Sequence, residues 1–218
     1  MDKRFIVILV ILIVGLGGLF IFTRNKASAP GSDSGGTTNA SVSNHTKGNT
    51  ASKVNLTVYG DFECSACVQF FPIEKQVVDK YINDISFTFR HFPLDAIHKN
   101  ARAASRAAEA AVLQGKFFEM HDLLYQNQSS WLSLSDPLPV FTQMATSLKL
   151  DTNKFNTDFA SETVNNTINA DYKEGTSKKV EGTPTYFLNG QELKLEEIQT
   201  VEQFSAKIDA AIKASNNK

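Results

Sequence analysis

From Val54 to Tyr59 the chain alternates apolar and polar residues, the period of a half-buried strand, and Gly60-Asp61 ends the run. Helical spacing takes over after Cys64. Ile73, Val77 and Tyr81 recur every four residues and Val78 and Ile82 widen the stripe, which predicts a helix over about 65–82 with a kink at Pro72. A second strand is predicted over 85–92, where Ile85, Phe87 and Phe89 share one face and Ser86, Thr88 and Arg90 the other. Strand, helix, strand is the opening unit.

The pattern then turns helical for about eighty residues. Helices are predicted over 100–113, 116–126, 138–148 and 162–173, punctuated by Gly115, Pro137 and Asp151. Strand character returns at 185–188. Asn189-Gly190 follows, a strong hairpin signal because both residues tolerate positive φ, and then a short run over 192–195. A closing helix over 201–214 places Val201, Phe204, Ile208 and Ala211 on one side. The result is an α/β domain over 53–216, with a helical insertion over about 96–178 between a β-α-β unit and a β-β-α unit.

Ahead of this domain, Phe5 to Phe22 run without a charge, long enough as a helix to reach roughly 27 Å and span a bilayer core. Lys3 and Arg4 before it and Ala27-Ser28-Ala29 after it also fit a cleavable signal. The apolar run exceeds the usual signal core, and Pro30 would follow the scissile bond, so residues 1–26 are expected to be an uncleaved signal-anchor helix. Lys3 and Arg4 face Arg24 and Lys26 across the run, which leaves charge almost silent on orientation. Residues 27–52 are mostly Ala, Ser, Gly, Thr and Asn, with no aromatic residue and only Val42 larger than Ala among the aliphatics, and are expected to be a disordered linker in which His45 is no ligand.

Composition narrows the function. A net charge of -1 and no long basic run exclude an electrostatic footprint for nucleic acid. The two cysteines sit three positions apart, which excludes a disulfide-dense scaffold and directs attention to chemistry.

Cys64-Ser65-Ala66-Cys67 lies where strand gives way to helix. Unpaired N–H groups and the positive end of the helix dipole there favour a thiolate, so Cys64 is expected to be the exposed nucleophile of low pKa and Cys67, one turn on and facing inward, the resolving thiol. Structural zinc would need about four ligands, and His91, His98 and His121 lack the paired spacing. A structural disulfide closing so short a loop would add little. A copper-delivery site using both cysteines with His91 or His121 stays open. Otherwise Arg90, His91 and His98 are expected at the surface, and no cofactor is expected.

F-E-C-S-A-C-V-Q-F-F-P after a strand, F-R-H-F-P-L after the next, and G-T-P-T-Y-F-L-N-G late in the chain resemble the DsbA family of the thioredoxin superfamily over about 55–212. The resemblance implies a thioredoxin-like fold and a protein disulfide oxidoreductase. It also implies that Pro184 is the cis proline beside the active cysteines, and that Thr183 before it holds an extended substrate by strand addition. Two departures stand out. Val58 occupies the position where many relatives place a buried acid, which leaves Asp61, Glu63 or water to move the proton of Cys67, and Ser65-Ala66 has no histidine to pair with the thiolate.

The resemblance further implies an oxidase that passes the Cys64–Cys67 disulfide to reduced secreted chains. A membrane quinone-linked DsbB-like or VKOR-like protein would then reoxidise it. Such chemistry belongs to an oxidising compartment, so the domain is expected on the extracytoplasmic side of the cell membrane, as a monomer on a single-pass anchor. A reductase or isomerase, and a tethered module binding peptide or copper without turnover, are the alternatives.

Overall fold

The computed structural model describes residues 41–217, so the anchor helix assigned to residues 1–26 lies outside it. Among the described residues no helix is long and apolar enough to cross a membrane.

Five strands form one sheet in the order β1-β3-β2-β4-β5: β1 (His45–Gly48), β2 (Asn55–Gly60), β3 (Ser86–His91), β4 (Thr185–Leu188) and β5 (Gln191–Leu193). The central strand β2 runs parallel to β3 through the crossover helix α1 (Ser65–Lys80) and antiparallel to β4. The insertion holds α2 (Ala101–Val112), α3 (Phe117–Gln126), α4 (Gln128–Trp131), α5 (Leu138–Ser147), α6 (Thr152–Phe159) and α7 (Glu162–Ser177). After β5 come a 3-10 turn (Leu195–Glu197) and the closing helix α8 (Val201–Asn216). Asn189 and Gly190 both take positive φ and join β4 to β5 as a hairpin, as these two residue types predict.

Alternation along β2 decides what each face buries. Leu56 and Val58 enter the main core with Val77, Phe87, Phe89 and Ile208, whereas Tyr59 points the other way, to a smaller cluster with Phe92 and Val180. Helix α7 covers that second cluster, and it approaches so closely that a Cβ on Gly175 would lie 2.7 Å from the Phe92 ring. Pro72 sits inside α1 without ending it.

Gly60, the last residue of β2, has a comparable constraint. A Cβ there would stand 2.5 Å from Cε2 of Phe89, whose ring is wedged between Phe62 and His121. Gly60→Ala should therefore destabilise the fold by about 2 kcal/mol, within the range of core overpacking. In urea the midpoint should fall at unchanged slope; an unaltered midpoint would show that the ring yields freely.

Two helices, α4 and α6, are absent from the sequence expectation. Thr152–Phe159 offers only Phe155 and Phe159 as apolar residues, too few for a stripe, and is held by Asp151, which caps the N–H of Lys154 at 3.0 Å, and by the burial of Phe155. The run expected as strand over 192–195 pairs only as far as Leu193 before the 3-10 turn begins.

The linker expectation needs a larger correction. His45–Gly48 pairs antiparallel with β3 as the edge strand, inside the stretch assigned to linker. Asp171, fully buried on α7, accepts from the Ser43 amide (2.7 Å), the Ser43 hydroxyl (2.6 Å) and the His91 amide (3.0 Å). Arg90 donates to the Ser43 carbonyl. A polar segment without a core of its own is thus ordered by backbone pairing and one buried carboxylate.

Candidate active site

The loop between β2 and α1 is organised by Asp61. Its Oδ1 accepts the Glu63 amide at 2.7 Å, its Oδ2 accepts the Leu94 amide and His98 Nδ1, and its carbonyl accepts the Cys64 amide. Phe62 buries its ring against Phe89, Tyr125 and His121. The chain therefore enters α1 with Cys64 as its extended N-cap residue. No oxygen caps this end, so the sulfur faces backbone N–H groups that the first turn leaves unpaired.

The structure brings together all four residues singled out from the sequence. Cys64 and Cys67 stand side by side as free thiols. The Thr183-Pro184 bond is cis and places the Thr183 carbonyl 3.2 Å from Cys64 Sγ, which donates to it as a thiol. This loop covers the sulfur, so Cys64, expected to be exposed, retains only 7% exposure against 4% for Cys67. An open cavity of about 510 Å³ runs from Thr183 and Pro184 along Leu193 to Leu195 and Glu196.

Electrostatics separates the two thiols. Cys64 is lowered to about 5, first by the hydrogen bond from Cys67, against the opposing pull of burial, and then by Thr183 and the backbone N–H groups of Cys67 and Ala66. Cys67 is pushed well above its ordinary value by burial and by the neighbouring Cys64. The Thr183 hydroxyl is buried without a hydrogen-bond partner among the described residues, which leaves it free to donate to sulfur once a thiolate forms. His98 binds Asp61 of this loop: burial lowers its pKa, but the Asp61 hydrogen bond and the charges of Asp61 and Cys64 carry it above the ordinary value.

Asp61 and Glu63, named from the sequence as proton carriers, are both committed to loop amides, Glu63 by accepting the Asn100 N–H. One buried acid that sequence reasoning missed, on the same helix as the cysteines, is Glu74. It lies on α1 with Cys67, Phe71 and Val78 on the inward face, accepts the Tyr186 hydroxyl at 2.9 Å, and is raised by burial to about 7. A carboxylate on the apolar stripe, two turns or about 10 Å beyond Cys67, was the available signal.

His91, expected at the surface, is 0% exposed, because its ring is drawn to Glu109 and the aromatic layer around Phe62 and Phe89. His121 pairs with Asp122. Among the described residues neither cysteine joins a cluster of three ligating side chains, so the copper arrangement with His91 or His121 is not assembled.

A thioredoxin family model matches residues 40–210. Oxidised BdbD from Bacillus subtilis superposes with a TM-score of 0.65 at 22% identity, covering 80% of this chain and 100% of that one. The α-DsbA1 protein of Wolbachia pipientis gives 0.66 at 19%, covering 78% and 91%. MdbA, a thiol-disulfide oxidoreductase from Corynebacterium diphtheriae, gives 0.62 at 22%, covering 73% and 84%. Among curated sequences, the Na(+)/H(+) antiporter NhaA 3 of Salinispora tropica is 36% identical over 147 residues, 67% of this chain. NhaA 1 of Salinispora arenicola is 37% identical over the same length. This chain spans only 22% of the length of each of those two proteins.

Proposed function

Because the chain belongs to the thioredoxin family and carries the fold of DsbA-like thiol-disulfide oxidoreductases, we propose that it is an oxidase donating its Cys64–Cys67 disulfide to reduced, secreted proteins. The observation that carries the proposal is the geometry of the pair: Cys64 at the uncapped start of α1 with its sulfur 3.2 Å from the Thr183 carbonyl before the cis Pro184, and Cys67 beside it and more deeply buried. A substrate thiolate attacks Cys64 Sγ, the Cys64–Cys67 bond breaks, and Cys67 leaves and takes up a proton. The second substrate thiolate then attacks the substrate sulfur of the mixed disulfide and releases Cys64. Two electrons pass from substrate to enzyme; Cys67 takes up one proton, Cys64 is left as a thiolate, and the second substrate proton goes to solvent.

The second step sets the direction. A thiolate of pKa about 5 is a far better leaving group than an ordinary cysteine at about 8.5, so release of oxidised substrate is favoured over its reduction. Thr183 offers backbone groups beside Pro184 to an extended peptide lying along the cavity. The reduced enzyme returns to the disulfide through a quinone-linked membrane partner of the DsbB-like or VKOR-like kind. Such a cycle works on the extracytoplasmic side of the membrane, with the 5–22 segment as tether.

The test is the equilibrium reduction potential of the full chain titrated against glutathione. A value nearer about -120 mV than -270 mV is the expected result; one at or below -270 mV would make the protein a reductase in need of an electron donor.

A further inference from the structure

Away from the cysteines, three buried ligating side chains converge from three elements: His45 on β1, His91 at the end of β3 and Glu109 on α2. His45 Nε2 lies 2.5 Å and His91 Nε2 2.8 Å from the same oxygen, Glu109 Oε1. All the ligand atoms fall within 4.8 Å of one another. We propose that these residues form a binding site for a divalent first-row transition ion, of which zinc is the representative, that locks the edge strand β1 onto the domain.

Three observations carry this. First, the donor set is two imidazole nitrogens and one carboxylate oxygen, a combination that suits zinc with one position left for water and does not suit calcium or magnesium, which take oxygen ligands. Second, among the described residues the ion pairs of Glu109 are with these two imidazoles alone; no lysine or arginine balances its buried charge. An unbalanced buried carboxylate is unfavourable, and a divalent cation at the shared oxygen supplies the missing charge. Third, the site is framed and reachable. The His45 ring stacks on Phe117 with centroids 3.7 Å apart, and a surface cavity of about 230 Å³ lined by His45, Phe117 and Phe118 opens at its edge.

The fit is close. Ligand atoms about 2.0 to 2.1 Å from a tetrahedral ion stand about 3.3 Å apart, so each nitrogen–oxygen separation has to open by less than about 1 Å. Phe62 of the active loop has its ring centroid 6.0 Å from His91, and neither cysteine is among the three ligating residues, so the site is distinct from the cysteine pair. Its consequence is mechanical: β1 is the first strand among the described residues and lies at the sheet edge, and the ion would tie it to both β3 and α2.

The cysteines themselves bind soft metals, so the test uses the full chain with Cys64→Ser and Cys67→Ser. Calorimetric titration with Zn2+ should show one site per chain. Co2+ should give visible d–d bands without thiolate charge-transfer absorption, and zinc should raise the melting temperature. Glu109→Gln, which retains an acceptor without the charge, should weaken binding at least about 100-fold. His45→Gln, on the edge strand where a folding defect is least expected, should do the same. Absence of saturable binding at micromolar zinc in the folded cysteine-free chain would overturn the proposal. So would binding that both Glu109→Gln and His45→Gln leave intact.

Discussion

Replacing Cys64 by serine should abolish dithiol-disulfide exchange, lowering turnover of a reduced model substrate at least about 10³-fold, because Cys64 is the thiol at the Thr183-Pro184 loop and Cys67 is the more deeply buried of the two. Cys67→Ala should behave differently. Cys64 remains able to form a mixed disulfide but nothing resolves it, so covalent complexes with substrate accumulate and are visible on non-reducing gels. The same variant tests the electrostatics. The hydrogen bond from Cys67 is the leading cause that lowers Cys64 to about 5, so its removal should shift the pH profile of Cys64 alkylation upward.

The sign of the pH dependence follows from linkage. A thiol depressed from 9.0 to about 5 contributes stability to the reduced fold that is fully present above pH 9 and is lost as pH falls through about 5. At pH 7 about two units of that shift are realised, roughly 3 kcal/mol, or about 60 mV toward a more oxidising disulfide. If the alkylation profiles of the wild type and Cys67→Ala coincide, or if the wild-type midpoint lies near 8.5, the thiolate account is wrong.

The second large effect concerns Glu74. Its carboxyl is raised from 4.5 to about 7, so the folded protein prefers it protonated, and stability is lost as pH rises from about 4.5 toward 7. The penalty reaches about 3 kcal/mol at pH 8. Glu74→Gln removes it, while the Gln oxygen still accepts the Tyr186 hydroxyl and its amide loses about 1 kcal/mol for want of a partner. The variant should be slightly less stable than the wild type at pH 4 and more stable at pH 8. Urea denaturation at the two pH values checks this, and a stability difference that does not change with pH would show that Glu74 ionises normally.

How much of the site was legible follows from distance along the chain. The C-S-A-C spacing, the strand before it and the helix after it are local, so Cys64 and Cys67 could be placed at a helix N-terminus from the periodicities alone. The Asn189-Gly190 hairpin was legible for the same reason, since the φ preferences of two adjacent residues define the turn. Pro184 and Thr183 were legible only through their resemblance to a known motif, because nothing near them in sequence points to a cysteine 119 positions away.

The order of residues in this chain dictated an α/β domain with a redox pair at a helix start, since alternation, helical spacing and turn chemistry each act over a few residues. Only the folded chain decided the rest. Ser43 and His45 look like spacer because a polar segment shows no core of its own, and they become structure only when Asp171 and Glu109 arrive from helices far along the chain. Glu74 reads as an ordinary helix acid until the sheet and Tyr186 close over it and burial shifts its proton affinity. Desolvation and long-range pairing belong to the assembled interior, and no local pattern records them.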